Sequence, residues 1–139
     1  MESKEISILV VDDEILIRDL LYDFFSSHGY KVHLAENGRV ALEIIDKVDF
    51  NVALLDLKMP EINGLEVAKV ISSKKPAVPI VIMTAFPSLD SAIDAIKYDV
   101  YEYIVKPFKI AQLFKVVESA IREYNARTSS NYSRTKSAN

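Results

Sequence analysis

The chain has 139 residues and a mass of 15.7 kDa, half of them apolar and 27% charged, which describes one soluble globular domain with a buried core and excludes wholesale disorder. A net charge of −3 argues against a nucleic-acid surface, and the absence of cysteine excludes disulfides, thiolate catalysis and Cys-bearing zinc sites. No apolar run reaches the ~18 residues needed to cross a bilayer and the polar start MESKE is no signal peptide, so the expected location is the cytoplasm, with no membrane partner.

In chain order, ISILVV (6–11) reads as an apolar, β-branched strand. The next segment has helical spacing, with Leu16, Leu20, Leu21 and Phe24 expected on one face and Gly29 as its C-terminal cap. KVHLA (31–35) alternates as an edge strand does, and Asn37 is placed to cap the helix GRVALEII. NVALLDL (51–57) and PIVIMT (79–84) are apolar almost throughout, as strands buried on both faces require. YEYIV (101–105) alternates again and suits the other edge. The last helix is the clearest, with Ile110, Leu113, Phe114, Val117, Ala120, Ile121 and Tyr124 recurring at threes and fours. Residues 125–139 show no apolar periodicity and carry Arg127, Arg134 and Lys136 with no acid. They read as a flexible polar tail or the start of a linker, after a domain spanning residues 1–124.

Strictly alternating βα units imply an α/β, doubly wound fold: a parallel sheet with helices on both faces, for which one five-strand order is 2-1-3-4-5. Ligands bind such sheets beyond the carboxyl ends of the strands, at the switch point between strands 1 and 3. There the sequence puts polar residues where apolar strands end: Asp12 and Asp13 after strand 1, Asp56 in strand 3, Thr84 closing strand 4 and Lys106 after strand 5. Any one of these has an ordinary reading as a helix cap or strand terminator. Together they converge on one edge. Three carboxylates brought close would raise one another's pKa unless a cation intervenes, and a hard divalent ion such as Mg²⁺ suits oxygen ligands with no His or Cys nearby. A cation beside a carboxylate, with a hydroxyl and an ammonium opposite, makes a pocket for a tetrahedral anion. That points to phosphoryl transfer, where fixed positive charge and donors matter more than acid–base groups, with Asp56 as the candidate nucleophile.

Four motifs, ILVVDDE, LLDLKMPEINGLEV, VIMTA and YIVKPF, together resemble those of the receiver domain of two-component response regulators, over roughly residues 5–124. The resemblance implies the (βα)5 flavodoxin-like receiver fold and a phosphorylation-controlled switch. Asp56 would be the phosphoacceptor, served by a sensor histidine kinase or phosphotransfer protein. Asp13 and Asp56 would bind Mg²⁺ directly, Asp12 through water, and the backbone carbonyl of Lys58 would complete the set. Lys106 would pair with a phosphoryl oxygen, and the peptide before Pro107 would be cis, fixing the direction of that lysine. Thr84 would turn its hydroxyl to the phosphoryl group, and Tyr103 would swing inward behind it, changing the surface of helix 4, strand 5 and helix 5. Tyr103 also has a plain packing reading.

Departures from the family pattern are informative. Phe86-Pro87 follow the threonine and alanine, where a small residue and an acid are common, and Phe86 is expected to shield the acyl phosphate from water. Lys58, two residues past Asp56, would either guide water or repel a phosphatase. Asp99-Val100 replace a common Gly-Ala pair. A metabolic Mg²⁺-dependent phosphatase would need an acid–base carboxylate close after Asp56, where Lys58 stands instead, and neither GxxxxGK[ST] nor GxGxxG occurs. A pure interaction module that keeps the fold would lack one of the marker residues, and none is missing. So the chain is expected not to be an enzyme beyond weak self-catalysed phosphotransfer and autodephosphorylation. The sequence reads as a single-domain regulator or a receiver cut from a longer protein. The mixed charge of Asp90, Asp94, Lys97, Glu102, Lys115 and Arg122 suits a homodimer through helix 4, strand 5 and helix 5.

Overall fold

The computed structural model describes residues 5–129. Five strands alternate with five helices: β1 (Ser7–Val11), α1 (Ile15–Ser27), β2 (Lys31–Ala35), α2 (Gly38–Lys47), β3 (Val52–Asp56), α3 (Gly64–Lys74), β4 (Ile80–Thr84), α4 (Leu89–Lys97), β5 (Glu102–Val105) and α5 (Ile110–Thr128). The sheet is parallel throughout, in the order β2-β1-β3-β4-β5, as the alternation of the sequence requires. The two alternating runs, β2 and β5, are the edges. The nearly continuous apolar runs of β3 and β4 lie fully buried in the interior of the sheet.

Side-chain alternation along each strand divides the core into two layers. Leu9, Val11, Leu55 and Ile82 pack with Ala41 and Ile45 of α2, Val67 and Ile71 of α3, and Ala95 of α4. Ile8, Val10, Leu54, Val81 and Met83 pack on the other face with Leu21 and Phe25 of α1 and Leu113, Val117 and Ala120 of α5. Each fully buried Leu or Ile contributes about 1.5–3 kcal/mol by leaving water, so the sheet is a rigid floor for whatever its edge carries.

The helices start and stop where their caps dictate. Asn37 accepts from the Val40 N–H at 2.9 Å, and α3 opens with a reciprocal Asn63–Glu66 capping box. Ser88, held just after Pro87, caps α4 through the Ser91 N–H. Gly29, at φ 87, ends α1 in a Schellman arrangement, Tyr30 N–H to Phe25 and Gly29 N–H to Ser26. Asp99, where the family often has glycine, takes the same left-handed backbone at φ 60 after α4.

Two expectations are corrected. On α1 the buried residues are Leu21 and Phe25, with Phe24 half-buried, whereas Leu16 and Leu20 face solvent at 79% and 46% exposure. The helix packs on the core through Ile17, Leu21, Phe24 and Phe25, which leaves Leu16 and Leu20 on the side turned to solvent. In addition, α5 continues to Thr128, four residues past the expected end of the domain at 124. A Glu123–Arg127 ion pair one turn apart, at 2.7 Å, and the Thr128 hydroxyl donating to the Tyr124 carbonyl carry the helix on without an apolar stripe. Of the polar tail, residues 130–139 lie outside the described residues. Among the described residues no helix is long and apolar enough to cross a membrane.

Candidate functional site

Because the sheet is parallel, all five strands deliver their carboxyl ends to one edge. Asp12 follows β1, Asp56 closes β3, Thr84 closes β4 and Lys106 follows β5. Register aligns Val11 with Leu55, Asp56 with Met83, and Thr84 with Val105. Asp12, Asp13 and Asp56 each bring a carboxylate oxygen within 4.8 Å of the other two, with Asp12 and Asp56 buried and Asp13 exposed. Neither His28, which caps α1, nor His33, on edge strand β2, belongs to this group. Gly64 lets the start of α3 pass against the acceptor strand: a Cβ there would come within 2.2 Å of the Asp56 carbonyl oxygen.

Lys106 enters from the opposite side, directly before a cis Lys106–Pro107 peptide. Its Nζ donates to Asp12 Oδ2 at 2.8 Å and to Glu14 Oε1 at 2.9 Å, and stands 3.7 Å from Asp56 Oδ1. Burial alone would lower the Lys106 pKa, but the hydrogen bonds to Asp12 and Glu14 and the charges of Asp12 and Asp56 outweigh it, so the ammonium is held more firmly than in water. Asp56 moves the other way. Burial and then the charge of Asp12 push its carboxyl up to about 7 against the pull of Lys106, and Asp13 adds to the rise. One ammonium does not balance three carboxylates. The site is electrostatically short of positive charge and rich in oxygen donors, which is the condition a divalent cation relieves.

Thr84 closes β4 and Phe86 follows it, while Lys58 follows β3. Thr84 is fully buried, and its hydroxyl oxygen accepts from the Phe86 N–H at 2.9 Å, leaving the hydroxyl proton to be given elsewhere. Phe86 is 65% exposed, and the Lys58 ammonium stands 6.0 Å from its ring centroid. Tyr103 is half-buried and its hydroxyl shares a hydrogen bond with Ser91 of α4. On α4, Leu89, Ile93 and Ile96, spaced at four and three, show water an apolar stripe, and Val105 of β5 is also exposed.

Three contributors escaped sequence reasoning: Glu14 on Lys106, Ser91 on Tyr103, and Arg18, whose guanidinium donates to the Asp12 carbonyl at 2.8 Å and ties α1 to the site. Only Glu14 left a signal, as the third acid in the run Asp12-Asp13-Glu14.

A doubly wound α/β domain with a cation-ready acidic pocket at its switch point, faced by a lysine, is the class that fold and site define. The family model described as "Response regulator receiver domain" matches residues 8–118, and the chain belongs to that family of phosphorylation-controlled signalling switches. It is 34% identical to the regulatory protein AtoC of Escherichia coli K12 over 83% of this chain and 25% of that protein. The chain thus spans about a quarter of the curated relatives it matches. Among solved structures it is similar to a CheY-like receiver domain protein from Methanospirillum hungatei, with a TM-score of 0.87, 26% identity, and coverage of 89% of this chain and 99% of that one. It also resembles the response regulator TrrA from Thermotoga maritima, solved in complex with Mg(2+)-BeF, with a TM-score of 0.75, 37% identity, and coverage of 83% and 98%.

Proposed function

We propose that this chain accepts a phosphoryl group on Asp56 from a histidine kinase or phosphotransfer protein and answers by changing the surface of α4, β5 and α5. The observation that carries the reading is the convergence of Asp12, Asp13 and Asp56 within 4.8 Å on a sheet edge that also presents Lys106.

The donor set fits Mg²⁺: three carboxylates, with no imidazole or thiolate among them. Asp13 and Asp56 would hold it directly, Asp12 through water, with the Lys58 carbonyl as a further ligand. Bound there, Mg²⁺ supplies the charge that lets the carboxylates and phosphoryl oxygens coexist. That the relative TrrA was solved with Mg(2+)-BeF supports this assignment.

In the transfer, an Asp56 carboxylate oxygen attacks phosphorus. The new P–O bond forms as the P–N bond of the donor phosphohistidine breaks, and the imidazole leaves with the bonding pair. Lys106 donates to a phosphoryl oxygen. Thr84, released from the Phe86 N–H, donates its hydroxyl proton to another, and Tyr103 follows into the space behind it. Positioning and charge carry the reaction, so the chain is a switch with weak self-catalysed transfer and hydrolysis.

The readout is the face where α4 meets β5 and α5, which joins the exposed stripe Leu89, Ile93 and Ile96 to the charges of Asp90, Asp94, Lys97 and Glu102. A partner, an attached output domain or a second copy of the chain would dock there. The chain itself would touch neither nucleic acid nor membrane and would work in the cytoplasm.

The test is intact mass after incubation with Mg²⁺ and acetyl phosphate. Wild type gains a single phosphoryl adduct, and Asp56→Asn and a chelated sample gain none. A folded wild-type protein with no adduct, or an adduct retained by Asp56→Asn, overturns the reading.

A further inference from the structure

Lys106 has three N–H donors and no acceptor. Two are already committed, to Asp12 at 2.8 Å and to Glu14 at 2.9 Å, while the nearest Asp56 oxygen lies at 3.7 Å. The two partners differ in kind. The Asp12 side chain is wholly buried, and both of its oxygens are engaged, one by Lys106 and one by the Glu14 backbone N–H at 2.9 Å. It is a fixed part of the floor. The Glu14 carboxylate is 58% exposed and free to swing into water.

Glu14 is also the N-cap residue of α1, yet its side chain makes no capping hydrogen bond, and the first turn of that helix holds no other acid. Ser, Thr, Asp or Asn at this position would serve the helix N–H groups, whereas the longer Glu14 side chain is suited to reach elsewhere. Here it turns away from them to the lysine, leaving the helix end uncapped. It stands beside a cleft of about 320 Å³, bordered by Glu14, Ile17, Leu20, Ala85 and Lys106, that opens next to the site.

We propose that Glu14 is a positioning residue that shares the Lys106 ammonium with the incoming phosphoryl group, and so sets how readily Asp56 takes that group. The inference rests on the phosphoacceptor reading above. An arriving phosphoryl oxygen and the Glu14 carboxylate draw on the same positive charge, so each weakens the other's hold. Because Glu14 is exposed, water screens the contest and the effect is a tuning of rate and affinity, not a block. Sharing a charge in this way moves the rate and affinity of the site while leaving the fold alone.

The experiment compares wild type with Glu14→Gln and Glu14→Ala at saturating Mg²⁺. Two quantities are read: the rate of adduct formation from acetyl phosphate by intact mass, and the affinity for beryllofluoride, a phosphoryl mimic, by ¹⁹F NMR. Both variants are expected to react about threefold faster and to bind beryllofluoride about threefold tighter, with the difference shrinking at high salt. Wild-type rates and affinities in both variants, or slower reaction, would overturn the proposal while leaving Asp56 as acceptor. No adduct in wild type would remove the phosphoacceptor reading and this inference with it.

Discussion

The hydroxyls of Ser91, in the first turn of α4, and Tyr103, on β5, are joined by a 2.6 Å hydrogen bond. The backbone N–H of the same serine donates to Ser88 Oγ, so the tyrosine ring is tied to the turn that caps α4. That turn begins four residues after Thr84. In the proposed switch Tyr103 would move, and Ser91 is the partner it would have to leave.

Ser91→Ala and Tyr103→Phe are each expected to cost about 1 kcal/mol, the net worth of a partly buried hydrogen bond. The double variant should cost less than the sum by about 0.5–1 kcal/mol, because both changes delete the same bond. Denaturant unfolding of the four proteins measures this. Strict additivity would mean that the two hydroxyls do not act on each other.

The raised carboxyl of Asp56 makes stability depend on pH. Its ordinary value is 3.8 and its folded value about 7, so over that interval the folded chain binds the proton that the unfolded chain releases. The stabilisation is complete below about pH 4 and is lost as pH rises through about 7. Without metal, the melting temperature should fall across this window. Asp56→Asn should flatten the slope and melt roughly 5 °C higher than wild type at about pH 8, and added Mg²⁺ should restore the wild-type protein there. Melting curves across pH, with and without Mg²⁺, check all three.

Gly64→Ala should damage both stability and site. The new Cβ would lie 2.2 Å from the Asp56 carbonyl oxygen, so the backbone under the acceptor must move. A loss of more than about 2 kcal/mol is expected, with slower adduct formation by the remaining folded protein. Gly29→Ala is the control. Its φ of 87 disfavours alanine, but nothing lies within 4 Å, so it should cost about 1–2 kcal/mol and leave adduct formation unchanged.

Phe86 follows Thr84 with its ring exposed and the Lys58 ammonium 6.0 Å from the ring centroid, and its own N–H donates to the Thr84 hydroxyl. Phe86→Ala should shorten the life of the acyl phosphate about threefold, equivalent to about 0.7 kcal/mol of barrier, by admitting water. The decay of the adduct after donor removal measures it. An unchanged lifetime would leave the aromatic ring with no part in shielding.

Which strands are central, and which polar residues end them, was legible in the sequence because each rests on local pattern; the strand order was only one of the orders such alternation allows. Continuous apolar runs mark β3 and β4 as central, and a polar residue at the end of such a run, as at Asp56 or Thr84, stands out against it. What was not legible depends on packing between distant segments. The apolar spacing of Leu16, Leu20, Leu21 and Phe24 is a sound helical pattern, but only contact with β2 and α5 decides that Leu21 and Phe25 are buried and Leu16 is not. The reach of Glu14 to Lys106 spans 92 positions, and the Ser91–Tyr103 bond joins residues from different elements with no shared motif. Such pairs become visible only when the sheet has brought its edge together.

The most direct test of a switch is hydrogen exchange of the chain before and after phosphorylation with acetyl phosphate and Mg²⁺. Altered protection is predicted in the β4–α4 turn, α4 and β5, around Thr84, Ser91 and Tyr103, with the inner core of β1 and β3 unchanged. A phosphorylated protein whose α4 and β5 amides exchange as they did before would contradict the account.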